Sequence, residues 1–310
     1  MSNLSLSRRQ FLKSSSTAAV GATALGASSV FGIEPLARPG GPRFDLSLAA
    51  YSFRNFFEYM RTKKREVADR KMDMFQFIDY CADQGLAGTE LTSYFFPSDA
   101  GAEYFAKIRQ HAAKRGIKIS GTAVGNNFAR PKGPELDKEI ADVKRWIDNA
   151  AIMGAPHIRI FAGRATGTSD AEARRMCIAA IEECCDYAGQ WGVRLGLENH
   201  GGIVAEADGM LEIIEAVKSP WFGVNLDSGN FHTEWPYRDL ARIAPYSINV
   251  QLKVEMRPKG RPHEPANLER LARILRYANY QGYVVLEYEA KPDPYKAVPE
   301  YIEKLKKVFA

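Results

Sequence analysis

A single-domain, closed (β/α)8 barrel is the fold this sequence predicts, and three observations predict it. Short β-rich runs alternate with helix-period segments from Arg43 onward. Eight such units fit into roughly 265 residues, close to the length a closed barrel usually needs. No Gly-rich phosphate loop follows an early strand, as an open doubly wound sheet, the alternative, would more often show.

The eight strands are expected at "FDLSLAAY" (44–51), "LAGTEL" (86–91), "IKISGTAV" (117–124), "HIRIFAG" (157–163), "VRLGLE" (193–198), "FGVNLD" (222–227), "INVQLKV" (248–254) and "YVVLEY" (283–288). Helical patterns fill the gaps. "GPELDKEIADVKRWIDNAAIMG" opens on proline, runs Leu136, Ile140, Val143 and Ile147 along one face, and stops at Gly154. Ser169 to Glu172, "SDAE", is a capping box in which serine and glutamate satisfy free N–H groups at a helix start. "ANLERLARILRYANYQG" lines up Leu268, Leu271 and Leu275. Strands separated by single helices pair in parallel through right-handed crossovers.

Residues 1–33 stand outside this pattern. "SRRQFLK" precedes a mild Ala/Gly/Thr/Val run and resembles a twin-arginine export motif. The run is too short and too rich in Gly and Ser for a stable membrane span. The expected organisation is therefore a signal over 1–33, a linker over 34–42 and the barrel over 43–310. Export by that route implies the periplasm or cell envelope.

Cleavage would remove Arg8, Arg9 and Lys13 and no acidic residue, so the formal charge falls from +5 to +2. That is too little basic density for a nucleic-acid footprint. The mixed-sign run at 61–71 reads as a solvated face. Cys177, Cys184 and Cys185 fall on one helical stretch without metal-type spacing and read as core thiols.

In such a barrel, residues at the C-terminal strand ends converge on one mouth. The stretch "GVRLGLENHGG" places Glu198 there, at the inner end of an apolar strand, where an unpaired carboxylate is costly. Asp227 ends the sixth strand, Gln251 lies on the seventh and Glu287 ends the eighth. Three carboxylates in one low-dielectric mouth repel one another. A divalent cation would resolve the conflict; the alternative is that each faces solvent or pairs with Arg or Lys. An oxygen-only donor set favours Mn²⁺ or Mg²⁺, with Co²⁺ or Zn²⁺ as further options.

"GLENHGG", "VNLDSGNFH", "VQLKVEM" and "VVLEYE", in this order on late strands, resemble the xylose isomerase-like TIM barrel family, which includes sugar phosphate isomerases/epimerases and keto-sugar epimerases. The likeness runs from about residue 44 to 290. It implies metal ligands at Glu198, Asp227, Gln251 and Glu287, with Glu198 and Glu287 also exchanging protons with a carbohydrate substrate. Two departures stand out. Gln251 occupies a position that often holds His. Asn230 stands three residues after the Asp, where many members carry His, and His232 lies two further on.

The chemistry this implies is proton removal beside a sugar carbonyl through a metal-stabilised enediolate. Proton return to the same carbon gives epimerisation, and to the neighbouring carbon isomerisation. Loss of a β-hydroxyl would make a lyase or, in reverse, a hydratase. No phosphate cradle is evident, which favours a free sugar, keto-sugar or glycoside fragment.

Further candidates for substrate contact are His200, Lys253, Asn230, His232, Glu90 and Arg159. For each a bland reading competes. His200 could cap its loop, Lys253 could pair with a carboxylate, and Glu90 and Arg159 could pair inside the barrel. Aromatic clusters at 51–59 and 93–97 flank the mouth as sugar wall or loop packing, and His111 and His157 read as structural. An endonuclease of the same superfamily would need a His-rich zinc cluster and a basic groove, and the chain has five histidines. A sugar-binding barrel without catalysis ranks below the enzymes. Homo-oligomerisation stays open.

Overall fold

A computed structural model describes residues 32–61, 63–67 and 69–310. The expected signal lies outside these residues, save Gly32 and Ile33. Eight parallel strands close into a barrel: β1 (Arg43–Ala49), β2 (Gly88–Thr92), β3 (Lys118–Ala123), β4 (His157–Phe161), β5 (Arg194–Glu198), β6 (Phe222–Asp227), β7 (Ser247–Leu252) and β8 (Gln281–Leu286). Each pairs with its sequence neighbours, and β8 pairs with β1 to close the ring.

Helices α1 (Met74–Asp83), α2 (Ala102–Lys114), α3 (Pro134–Met153), α4 (Asp170–Trp191), α5 (Ala207–Ala216), α6 (Pro236–Ile243), α7 (Leu268–Tyr277) and α8 (Pro294–Val308) form the outer layer. Their stripes follow the expected spacing. Leu136, Ile140, Val143 and Ile147 of α3 are buried, and Gly154 caps it at φ 81°. Only glycine adopts that left-handed geometry without strain, so the helix ends there. Ser169 accepts a hydrogen bond from the Glu172 N–H at the start of α4. Cys81, Cys177, Cys184 and Cys185 are buried free thiols. No described helix is long and apolar enough to cross a membrane.

Further segments bound the two ends of the barrel. At the strand-start end, residues expected as a linker are tied down: the Leu36 N–H donates to Pro245, and the Asn279 and Gln281 side chains donate to carbonyls of Arg38, Pro39, Gly40 and Gly41. At the strand-finish end, short antiparallel ladders (Tyr59–Met60 with Lys63–Lys64, Glu255–Met256 with Glu264–Pro265) decorate the loops after β1 and β7.

The barrel interior is polar through its middle. Alternation along each strand points Asn225, Asn249, Gln251 and Glu90 inward. Asn249 donates to Glu90 (3.0 Å) and to Asn225 (2.7 Å), Asn225 donates to Gln251 (2.7 Å), and Gln251 donates to Glu90 (2.6 Å). Below them His157 is buried beside Gly121, where any Cβ would strike the imidazole.

Candidate active site

Glu198, Asp227 and Glu287 all reach the strand-finish mouth and are buried there. Glu287 sits one residue beyond β8, held by its N–H donating to Leu252. Asn199 braces two strand ends: its amide donates to the Asp227 carbonyl (2.9 Å) and accepts from the Asp227 N–H (2.8 Å). Asn126 repeats the device between the β3 loop and Phe161. The turn after His200 needs both glycines, at φ 60° and 56°, and a Cβ on Gly202 would stand 2.0 Å from the Gly163 carbonyl oxygen.

Each carboxylate already has a cation. Arg159 pairs with Glu198 at 2.7 Å. Lys253 lies between Asp227 (2.6 Å) and Glu287 (2.7 Å), with Glu289 at 3.6 Å. Charge pairing with Arg and Lys, one of the two resolutions the sequence left open, is present at all three carboxylates.

The expected four-ligand cage is accordingly not assembled. Gln251 lies lower in the barrel, its oxygen accepting from Asn225 and its amide donating to Glu90. Among the described residues, no group of three His, Cys, Asp or Glu side chains is arranged to hold a metal. The donor set does not fit a divalent ion without displacing the Lys253 ammonium.

Proton affinities diverge across the mouth. Burial raises the Glu198 carboxyl, and the Arg159 charge opposes this only in part. Burial also works to raise Glu287, but the charge and hydrogen bond of Lys253 outweigh it and hold the group below its ordinary value. Lys253 is itself held above its ordinary value, because Asp227, Glu287 and their neighbours outweigh its desolvation. Glu90 is pushed up to about 7, first by burial and then by the Glu287 charge.

Glu198, Glu287, Lys253, Arg159 and His200 line one cavity of ≈ 180 Å³, with Tyr51 and Tyr94 as its aromatic wall. It opens into an outer chamber of ≈ 340 Å³ that adds Asn230 and His232. Asn230 donates to Glu198 at 2.7 Å, and the His200 ring packs on Phe161 with centroids 4.4 Å apart. Glu90 lies inside the barrel, pairing with Asn249 and Gln251 rather than lining the cavity.

Sequence pattern alone does not single out Asn225, Asn249 or Glu289. The first two could be found by counting back two residues from Asp227 and Gln251, which keeps the inward face. Tyr51 and Tyr94, each from one of the two aromatic clusters expected beside the mouth, both line the cavity.

Residues 78–308 match the xylose isomerase-like TIM barrel family, and the chain belongs to it. Several solved structures share the fold. A xylose isomerase domain protein from Planctomyces limnophilus is 16% identical, with a TM-score of 0.62 over 87% of this chain and 98% of that one. The 3-keto-D-glucoside 4-epimerase from E. coli is 14% identical, with a TM-score of 0.63 over 86% and 100%. D-psicose 3-epimerase from Clostridium cellulolyticum H10 is 14% identical, with a TM-score of 0.62 over 84% and 89%. No functionally curated protein matches the sequence.

Proposed function

We propose that the protein is a sugar epimerase or isomerase that moves a proton at the carbon beside a carbonyl of a free sugar or keto-sugar. The supporting observation is that two carboxylates of opposite proton affinity, Glu287 and Glu198, line one small cavity with two cations. Glu287, kept ionised by Lys253, takes the α-proton; the C–H electron pair passes to the carbonyl oxygen as an enediolate. Glu198, the more proton-retentive group, returns a proton from its own side. Return to the same carbon inverts it, and return to the adjacent one isomerises the sugar. Lys253 and Arg159, both largely buried, stabilise the oxygen charge. Family membership and the fold shared with D-psicose 3-epimerase and 3-keto-D-glucoside 4-epimerase agree with this reading.

The Mn²⁺ or Mg²⁺ that the resemblance implies has no step here, since Lys253 stands among the carboxylates that would bind it. The test is a screen of aldoses, ketoses and 3-keto-sugars in D₂O, read by NMR. An epimerase places deuterium on an α-carbon and keeps every carbon–oxygen bond, whereas a lyase loses one. No deuterium in any member of the screen would sink the proposal.

The reading includes export through the "SRRQFLK" segment, which supports a periplasmic or envelope site. A reporter fusion still exported after Arg8→Lys and Arg9→Lys would rule out that route.

A further inference from the structure

The family resemblance puts a divalent cation among Glu198, Asp227, Gln251 and Glu287, and this chain puts an ammonium between two of them, Asp227 and Glu287. We propose that Lys253 is a built-in replacement for the metal, so that proton transfer at this mouth runs without a divalent ion. The inference rests on the epimerase or isomerase reading for its chemistry, but not for its geometry.

Three features show that the position of Lys253 is constructed. Its N–H donates to the Ser228 hydroxyl at 2.8 Å, which fixes the backbone where the stem departs. Gly229 leaves room for that stem: a Cβ there would lie 2.7 Å from Cδ and 2.9 Å from Cβ of Lys253. The Gly229 N–H donates to Asp227 Oδ1 at 2.8 Å, turning Oδ2 toward the ammonium. The motif "DSG" thus supplies an acceptor, an anchor and a gap for one lysine. The side chain is only 12% exposed, and its Nζ meets two carboxylates within 2.7 Å.

The fourth expected ligand is diverted in the same sense. The Gln251 oxygen accepts from Asn225, and its amide donates to Glu90. Arg159 completes the substitution at Glu198. Two monovalent cations, one on β4 and one just past β7, therefore neutralise what a divalent ion would. In the reaction the α-C–H bond breaks, its proton passes to the Glu287 carboxylate, and the negative charge on the enediolate oxygen is met by the ammonium. The proton that completes the product comes from the Glu198 carboxyl, leaving a carboxylate that Arg159 pairs. Exchange with solvent returns both glutamates to their starting states, so no oxidant, reductant or co-reactant is required.

The experiment is Mn²⁺ binding to the EDTA-dialysed full chain, followed by the electron paramagnetic resonance of free Mn²⁺. Wild type is expected to bind no stoichiometric Mn²⁺. Lys253→Met frees the Asp227 and Glu287 oxygens and should bind at least about a hundredfold tighter, given one contact charge removed from a partly screened site. Lys253→Gln serves as a second variant of similar length should the first fail to fold by circular dichroism. Stoichiometric binding by wild type that Asp227→Asn abolishes would overturn the proposal, as would a folded Lys253 variant with unchanged affinity. In parallel, turnover in the D₂O screen should be the same with EDTA as with added Mn²⁺; strict dependence on Mn²⁺ also overturns it. Binding is read without substrate, so a failure of the sugar reading leaves this result standing, and the reverse holds.

Discussion

Arg159 and Glu198 form a fully desolvated ion pair, so removing one member should expose its dependence on the other. The side chains are 5% and 3% exposed and meet at 2.7 Å. Arg159→Met keeps much of the stem volume but leaves Glu198 as a buried charge without its cation. Loss of one partner of such a pair costs about 3–5 kcal/mol. Part of this is not electrostatic: Arg159 also donates to the Val124 carbonyl at 2.7 Å and lies over Phe161 at 4.0 Å. A hydrogen bond and a cation–π contact together account for roughly 1–2 kcal/mol. Glu198→Gln placed on the same background removes the stranded charge and should restore the remainder, about 2–3 kcal/mol.

The assay is urea unfolding followed by circular dichroism for wild type, both single variants and the double variant, at pH 7 and pH 5. The Arg159→Met defect should shrink at pH 5. A carboxyl whose folded-state pKa is raised keeps its stability contribution at low pH and loses it as pH rises through that value. A double variant as unstable as Arg159→Met at both pH values would show that charge pairing is not what holds this part of the mouth together.

Two further outcomes concern the scaffold. Burial pulls the His157 imidazole from 6.5 down to about 4, so the unfolded chain binds a proton that the folded barrel refuses. The stability present above pH 6.5 is therefore lost as pH falls toward 4, by about 3 kcal/mol, and His157→Gln should flatten that acid limb in a urea titration series. Gly202→Ala meets both a left-handed φ and the Gly163 carbonyl, and should lower the unfolding free energy by at least about 2 kcal/mol; a drop within error would mean the loop relaxes freely.

Much of the scaffold is legible in the sequence because period-2 runs and helical stripes are independent signals. The sixth strand falls on 222–227 as expected, since all six residues are buried and nothing competes with the pattern. The first strand stops at Ala49 rather than residue 51, because Ala50–Phe53 curl into a 3-10 turn. The eighth begins at Gln281 and leaves Glu287 just past its end, a shift that keeps the side chain at the mouth. The short ladders at 59–64 and 255–265 are too brief to carry a period.

Strand-end carboxylates are legible for the same reason: their position on the pattern is their position in space. Which cation meets them is not. Lys253 reaches Asp227 because β6 and β7 pair Asp227 with Gln251 and because Gly229 has no side chain, and neither fact is local in sequence. The diversion of Gln251 depends likewise on Asn225 and Glu90, the latter 161 positions away. Long-range partner choice, rather than residue type, separates an expected metal cage from the observed ion-pair network.

The division of labour between the two glutamates can be read from one variant. Glu198→Gln, incubated with a substrate of the wild-type enzyme in D₂O, should still let Glu287 exchange the α-proton while inversion or isomerisation falls by about 10²–10⁴-fold. Full wild-type conversion by that variant, or equal exchange by Glu287→Gln, would contradict the assignment of proton removal to Glu287 and proton return to Glu198.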